Sequence, residues 1–595
     1  VKALWRTLRE LIPLLPEAGQ RYLKFYSWFI GLLALLDAFS LGLLAVVITP
    51  LLSGSSLNLP LLGTVDTAGL VWLLVLICVI VIVKGVLASL IQYYATRRFA
   101  AFELGIGDRL LNAYMAAPWV ERLKRNSADV VRLADWGIAN TIAGVLLPAA
   151  SLIGEVTTFI VVFLVLVVAQ PVIALTALIY LGLVGLALYF WVSRRSQVAG
   201  RVNRDYSYTV SRLLTEMIGA LKEVTLRNKS AEVAAVVHAN RVKTSQARAN
   251  IQFLSLVPRY ILESAVIGGL VLVGAVGFLT GGGLTAAITA VSIFSLAGFR
   301  MAPSITRFQA VIGTTTANLP HAQNVINDIR YMEKQNEEAR GGLDTGHLPE
   351  HPTTLDVENV SFSYSADSPA ALREVSLAIP FGSTVAFVGS SGAGKSTLVD
   401  LILGLVDPSS GSITIDGTPL RHVASAWHSR VGYVPQDVSL FDGTVGQNVA
   451  LTWSNDVDPA RARAALEQAQ LWDVISGRDG GLDGVIGERG LALSGGQRQR
   501  LGIARALYVD PYVLVMDEAT SALDTATEAA VAKAIRELHG KVTVILVAHR
   551  LSTIRHADRI YFLADGKIAA SGTFDELVKT VPAFAEQAAL AGMTG

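Results

Sequence analysis

The stretch Gly389-Ser390-Ser391-Gly392-Ala393-Gly394-Lys395-Ser396-Thr397 sets glycines, a lysine and hydroxyls at the spacing G-x-x-x-x-G-K-[ST]. Glycines allow backbone N–H groups to close around an anion. A lysine just past the last glycine can reach β- and γ-phosphate oxygens, and the serine beside it can hold magnesium. The context agrees: Val385–Val388 reads as a strand and the residues after Lys395 as a helix. This is chemistry for a nucleoside triphosphate.

Two further constellations belong to the same chemistry. In "YVLVMDEAT", four apolar strand residues precede Asp517, suited to steady a magnesium shell, and Glu518, placed to polarise an attacking water. Between them and the glycine loop, Leu493-Ser494-Gly495-Gly496-Gln497 opens a helix, and a serine with two glycines at a helix N-terminus makes a second anion-binding surface. The chain already has one such surface. The economical reading is that the second closes over the γ-phosphate held by another copy.

On these residues the segment from about Leu355 to the C-terminus resembles an ABC-type nucleotide-binding domain. The resemblance implies ATP and Mg2+ as cofactors. It makes Tyr364 in "VSFSY" the aromatic that stacks on adenine, and Gln436 in "YVPQD" the residue that senses magnesium and the membrane part. Gly487-Glu488-Arg489-Gly490 and Ser521-Ala522-Leu523-Asp524 match the family's communicating segments, and His549 in "LVAHRLS" matches its γ-phosphate-contacting histidine. The implied catalytic set is Glu518, His549 and Gln436, with Ser396, Gln436 and Asp517 at the metal.

These residues need a scaffold, and the composition divides it in two. The 595 residues are 52% hydrophobic and 16% charged, with a mean hydropathy of +0.48, too apolar for a soluble protein of this size. The net charge of +1 gives no basis for a nucleic-acid partner, and none is expected. The single cysteine, Cys78, excludes intrachain disulfides and a cysteine-rich metal site.

Apolar runs able to cross about 30 Å of hydrocarbon occur at Tyr26–Leu52, Gly69–Gln92, Ile138–Gln170, Val172–Trp191, Ala265–Leu279 with an extension upstream to Ile251, and Ala286–Gly313. Six spans are expected. Arg97, Arg98, Arg122, Lys124 and Arg125 follow the second span, and Arg194, Arg195, Arg201 and Arg204 the fourth, which puts both termini and the long connections in the cytoplasm. Those connections keep a helical pattern, so the spans should continue as cytoplasmic stalks. The expected location is a cell membrane, plasma or bacterial inner.

The expected order is an interfacial amphipathic helix at 1–20, carrying Leu4, Leu8, Leu11 and Leu15 on one stripe; a membrane domain at 21–330; a polar linker at 331–354; and the ATPase domain at 355–595. The fold class is thus an α-helical membrane domain of six spans with long cytoplasmic helical extensions, followed by an α/β P-loop ATPase domain of ABC type. Six spans fused ahead of one such domain resemble the exporter branch, in which two polypeptides pair. No motif residue is degenerate and Glu518 is present, so the partner is expected to be a second copy, giving a homodimer. Coupling segments fall near Trp119–Arg125 and Thr225–Ser230.

The cargo must be read from charges in the spans. Lys84, Arg259 and Arg300 stand in apolar surroundings, with acids at Asp37, Glu155 and Glu263. A mid-span lysine or arginine costs roughly 2.5–3.5 kcal/mol to insert, so these cations should face an interior or a partner. Two readings stay open. Either the charges neutralise one another, as Arg259 and Glu263 could at i, i+4, or Lys84, Arg259 and Arg300 line a cavity for an anionic substrate. "VPRYILES", "FRMAPSITRF", "VKGVLASL" and Asn126-Ser127-Ala128-Asp129 are similar to segments of the lipid-linked oligosaccharide flippases of bacterial protein N-glycosylation. That resemblance implies a polyprenyl-(pyro)phosphate-linked oligosaccharide or related anionic lipid as cargo. An exporter of peptides or amphiphilic drugs is the alternative, and an ABC-type ATPase that gates or regulates without pumping is the lesser one.

Overall fold

In the computed structural model the described residues are 2–53, 57–59, 63–169, 171–279, 283–340, 347–365, 368–487, 490, 492–519, 525–548 and 551–590. They fall into two compact units, one of Val1–Ala117 with Arg122–Asn336 and one of Pro118–Glu121 with Glu337–Gly595.

The first unit is helical: α1 Lys2–Leu11, α2 Glu17–Ser53, α3 Thr67–Ala116, α4 Leu147–Ala169, α5 Pro171–Gly219, α6 Ser230–Gly277 and α7 Gly283–Arg340. At 1.5 Å per residue, the 50 residues of α3 extend about 75 Å, more than twice the hydrocarbon thickness. The spans therefore continue unbroken into stalks. Among the described residues, four helical stretches are long and apolar enough to cross a membrane: Ala68–Ala116, Ala128–Val167, Pro171–Gly219 and Ser230–Gly277. The first and sixth expected spans lie within α2 and α7, parts of which have side chains outside the described residues. A hairpin of β1 Leu57–Leu59 and β2 Gly63–Val65 joins α2 to α3.

Two differences from the sequence reading have physical causes. The leucine stripe of the first helix meets protein: Leu4 packs with Val145 and Leu319, and Leu11 with Tyr26, Phe99 and Ile326, while Trp5 on the opposite side is 70% exposed. An amphipathic pattern shows which face is covered, but not what covers it. In addition, α7 runs to Arg340, ten residues into the stretch read as linker, because "YMEKQNEEAR" is polar yet free of glycine and proline.

Small residues set the closest helix crossings. A Cβ on Gly200 would lie 2.1 Å from the Ala317 carbonyl oxygen, so α5 and α7 touch backbone to backbone there. A Cβ on Gly144 would meet the Asn318 side chain at 2.6 Å. Ahead of α4, the wide π-helical turn Ile142–Leu146 lies at this second crossing, and an earlier one, Leu133–Gly137, lies where a Cβ on Gly137 would be 3.6 Å from Val325.

The second unit is α/β. An antiparallel sheet is built from β3 Thr354–Phe362, β4 Leu372–Pro380, β6 Ser410–Ile415 and β7 Thr418–Pro419. The larger sheet has the order β12-β11-β5-β10-β9-β8, from β5 Thr384–Gly389, β8 Val431–Val434, β9 Val513–Asp517, β10 Thr543–Val547, β11 Arg559–Ala564 and β12 Lys567–Gly572. All its pairings are parallel except β11 with β12. The apolar runs of β5, β9 and β10 are buried on both faces. Alternate residues feed two cores, Ala386, Leu514 and Leu546 into one and Phe387, Val515 and Ile545 into the other. Trp119 and Val120, far back in the chain, also pack on the second core.

The Gly200 crossing makes a prediction. Gly200→Ala should destabilise the first unit by about 1–3 kcal/mol, as overpacking does. It would be read as a lower thermal unfolding midpoint of the detergent-solubilised chain. An unchanged midpoint would contradict the backbone contact.

Candidate functional site

The carboxyl ends of β5, β10, β9 and β8 lie side by side, the position at which open α/β sheets bind ligands. Gly389 ends β5, and the loop after it leads into helix α8, Lys395–Ile402. Gly389, Gly392 and Gly394 have φ of +153°, +82° and +98°. A Cβ on Gly389 would stand 2.2 Å from the Leu563 carbonyl oxygen, and one on Gly394 would stand 2.8 Å from that of Ala371. The tight loop thus requires glycine at these places.

Lys395 is 6% exposed, and its ammonium donates to the carbonyls of Gly389 at 2.8 Å and Ser390 at 3.0 Å. Burial pushes its pKa down, and the nearby Glu518 and Asp517 carboxylates pull it back up. Ser396 is exposed on the first turn of α8, and the next residue, Thr397, bonds through its hydroxyl to Tyr364 Oη at 3.1 Å. Tyr364, 40% exposed, packs edge-on to Phe362 beside the loop.

Asp517 closes β9, and Glu518 turns out of the sheet with φ +50° while its N–H donates to the Val547 carbonyl of β10 at 2.9 Å. A left-handed glutamate carries roughly 1–3 kcal/mol of backbone strain, a state that persists where the surroundings fix it. Gln436 is exposed two residues beyond β8. The preceding carbonyl, Pro435, accepts from Gln499 Nε2 at 3.2 Å, tying this loop to helix α9, Gly495–Leu507.

Sequence reasoning missed two members of this cluster. Tyr433 Oη donates to Asp517 Oδ2 at 3.4 Å, and burial with the neighbouring carboxylates pushes its pKa up to about 12. Burial and then Asp517 push the Asp400 carboxyl up to about 6. Asp400 lies at i+4 from Ser396, one turn along the same face of α8, a signal that helical spacing could have given.

Ser494 caps α9 reciprocally: its hydroxyl accepts from Gln497 N at 3.3 Å, and Gln497 Oε1 accepts from Ser494 N at 3.0 Å. Gly495 and Gly496 form the first turn, and a Cβ on Gly495 would meet nothing within 4 Å. Among the described residues no hydrogen bond or ion pair joins 494–497 to the glycine loop. His549, two positions after β10, lies outside the described residues, as do Glu488, Arg489 and Ser521–Asp524.

In the helical unit, Arg259 Nε bonds Glu263 Oε1 at 2.8 Å, with side chains 64% and 54% exposed. Both line a cavity of about 610 Å³ with Arg307, walled by Val266, Ile267 and Leu270. Arg307, which sequence reasoning passed over within its own "FRMAPSITRF", pairs with Glu155 at 2.6 Å; Ser304 Oγ lies 2.9 Å from the same carboxylate. Arg300 stands on α7 between the lining residues Gly298 and Ala302, and its side chain is outside the described residues. Half-buried Lys84 is on α3 and is not among the residues lining this cavity.

The glycine loop yields a test. Gly389→Ala should lower the unfolding midpoint and abolish binding of a fluorescent ATP analogue, because the new methyl has only the Leu563 carbonyl to displace. Wild-type binding and midpoint would contradict the close approach.

Comparison with known proteins agrees with this geometry. The ABC transporter family model matches residues 372–521. An "ATP-dependent lipid A-core flippase" of Photobacterium profundum is 45% identical over 233 residues, covering 39% of this chain and 40% of the relative. The same-named protein of Burkholderia orbicola is 33% identical over 407 residues, 65% of this chain and 64% of the relative. The matches thus span from two fifths to just under two thirds of these curated relatives. A solved bacterial Atm1-family ABC exporter with ATP bound superposes with a TM-score of 0.75 at 24% identity, over 97% of this chain and 99% of that one. The chain is therefore a multi-pass membrane protein of the ABC exporter fold, with a helical membrane domain fused ahead of a cytoplasmic ABC-type ATPase domain.

Proposed function

We propose that the chain is an ATP-driven exporter or flippase, working as a homodimer, whose cargo is an anionic lipid of the polyprenyl-(pyro)phosphate-linked oligosaccharide class. The observation that carries the ATPase reading is the convergence of the glycine loop, Lys395, Asp517 and Glu518 at the ends of neighbouring parallel strands.

In this reading Tyr364 stacks on adenine, the loop 389–394 and Lys395 hold the phosphates, and the buried ammonium is attractive to added negative charge. Glu518 takes a proton from water as the water oxygen attacks the γ-phosphorus, and the bond to the ADP oxygen breaks. His549 contacts the γ-phosphate. The oxygen donors of Ser396, Gln436 and Asp517 suit a hard cation and would hold magnesium, which when bound neutralises charge on the β- and γ-phosphates. Ser494, Gly495, Gly496 and Gln497 close the site from the partner.

For the cargo, the supporting observation is that Arg259 and Arg307 line one cavity with an apolar wall and, among the described lining residues, a single acid, Glu263. An exposed ion pair is worth about 0–1 kcal/mol, so an incoming phosphate can displace Glu263 at little cost. Lys84 and Arg300 add positive charge at neighbouring spans in this reading. The relatives' name, lipid A-core flippase, supports a lipid as cargo and does not reach the polyprenyl-linked class. One observation favours the alternative, export of peptides or amphiphilic drugs: Arg259 and Arg307 each already have a glutamate partner.

Two experiments test the ATPase site and its sharing between two copies. Glu518→Gln should nearly abolish ATP hydrolysis while leaving ATP binding intact, and wild-type turnover would remove Glu518 from its role. Mixing Lys395→Ala with Ser494→Arg chains should restore part of the activity, because one of the two shared sites is then undamaged; mixed dimers without recovery would refute shared sites.

The cargo reading predicts opposite signs at one ion pair. Arg259→Gln with Arg300→Gln should suppress stimulation of ATPase and flipping of a polyprenyl-pyrophosphate sugar in liposomes, whereas Glu263→Gln should strengthen both by freeing Arg259. Equal losses of stability in both variants, without selective change in transport, would favour neutralised structural pairs.

A further inference from the structure

Helices α5 and α6 leave a second polar groove, of about 510 Å³, that neither the ATP site nor the Arg259 cavity uses. On α5 its lining residues include Trp191, Arg194, Arg195 and Ala199, and on α6 Lys243, Gln246, Ala247, Asn250 and Phe253, each set at the three- and four-residue steps of one helix face. The helices run antiparallel here: Arg248 Nε donates to Asn203 Oδ1 at 3.2 Å, and Lys243 Nζ to Tyr206 Oη at 2.9 Å. Ala199 and Ala247, 8% and 3% exposed, form a floor of small side chains that keeps the groove open.

Chemistry changes in order along it. At one end Trp191 and Phe253 are 38% and 57% exposed. One turn on are Arg194 and Arg195, with Arg195 over the Trp191 ring at 5.4 Å; Asn250, Gln246 and finally Lys243 follow. No acid is among the described lining residues. The apolar run of α5 stops at Trp191 and that of α6 resumes at Ile251, so the groove crosses from hydrocarbon-facing to water-facing surface.

We propose that this groove binds an anionic glycerophospholipid of the cytoplasmic leaflet. Its phosphate lies on Arg194 and Arg195, whose planar guanidinium groups suit two phosphate oxygens. Headgroup hydroxyls follow Asn250 and Gln246 toward Lys243, and an acyl chain covers Trp191 and Phe253. Basic pockets between helices at the cytoplasmic boundary are of this kind. An acidic peptide would satisfy the cations but leave the aromatic end uncovered. The proposal stands whatever the cargo.

The test uses the full-length chain in nanodiscs of phosphatidylcholine with or without phosphatidylglycerol, followed by native mass spectrometry. Wild type should retain phosphatidylglycerol, and Arg194→Gln/Arg195→Gln/Lys243→Gln should bind it roughly a hundredfold more weakly. Because these exposed cations face no acid across the groove, the unfolding midpoint in phosphatidylcholine should not move. Arg194→Lys/Arg195→Lys keeps the charge and should retain most of the binding, which guards against a folding artefact. Equal retention by wild type and the glutamine variant would overturn the proposal, as would displacement of the lipid by millimolar inorganic phosphate, which would assign the groove to a free anion.

Discussion

Lys395 holds a charge almost out of water, and the nucleotide-binding half is organised around meeting that charge. A buried ammonium needs oxygen on every donor it can offer. Two of these oxygens are carbonyls of its own loop, which can face it only because glycines at 389, 392 and 394 take conformations that other residues resist. The loop in turn needs β5 between β10 and β11, where the Leu563 carbonyl lies against Gly389. The acids that balance the lysine arrive on β9, one strand beyond β10. Parallel pairing brings all these ends to one edge, so the residues assemble without any loop having to be long.

The hydrocarbon half answers to a different solvent. There a cation is tolerable where something opposite is close or water can reach it. Arg259 and Arg307 both have the open cavity and a glutamate, but the glutamate of Arg259 lies one turn along its own helix and that of Arg307, Glu155, comes from another helix. The two pairs differ in exposure. Glu263 is 54% exposed, while Glu155 is 16% exposed and further engaged by Ser304, so removing Arg307 would strand a carboxylate and removing Arg259 would not. Charge and architecture are therefore separable at one arginine and bound together at the other.

What could be read in the sequence was whatever depends on neighbours along the chain. The glycine loop, the strand ending in Asp517-Glu518, the capped start of α9 and the length of the stalks all follow from local spacing. The Arg259–Glu263 pair was visible for the same reason. Contacts between distant segments left no such trace: Tyr433 reaches Asp517 across 84 positions, Arg307 reaches Glu155 across 152, and Leu11 of the first helix is buried beside Ile326. The hairpin between α2 and α3 also escaped notice, because strands of three residues set no periodicity. His549 and the Arg300 side chain, which the sequence singles out, lie outside the described residues and keep the standing of expectations.

The backbone contact of Gly200 with Ala317 has a mechanical side. With no side chain between them, the two helices cannot interleave ridges at that point, so sliding meets a carbonyl, and a rotation about the contact must carry α6 along with α5, because Arg248 and Lys243 of α6 bond Asn203 and Tyr206 just beyond it. Such a point is a fulcrum. From Gly200 to the end of α5 at Gly219 is about 28 Å of rigid rod at 1.5 Å per residue, so a turn of about ten degrees carries the tip through about 5 Å, close to one helical pitch. Small angular changes at this crossing thus become displacements of about 5 Å at the far end of the same helix.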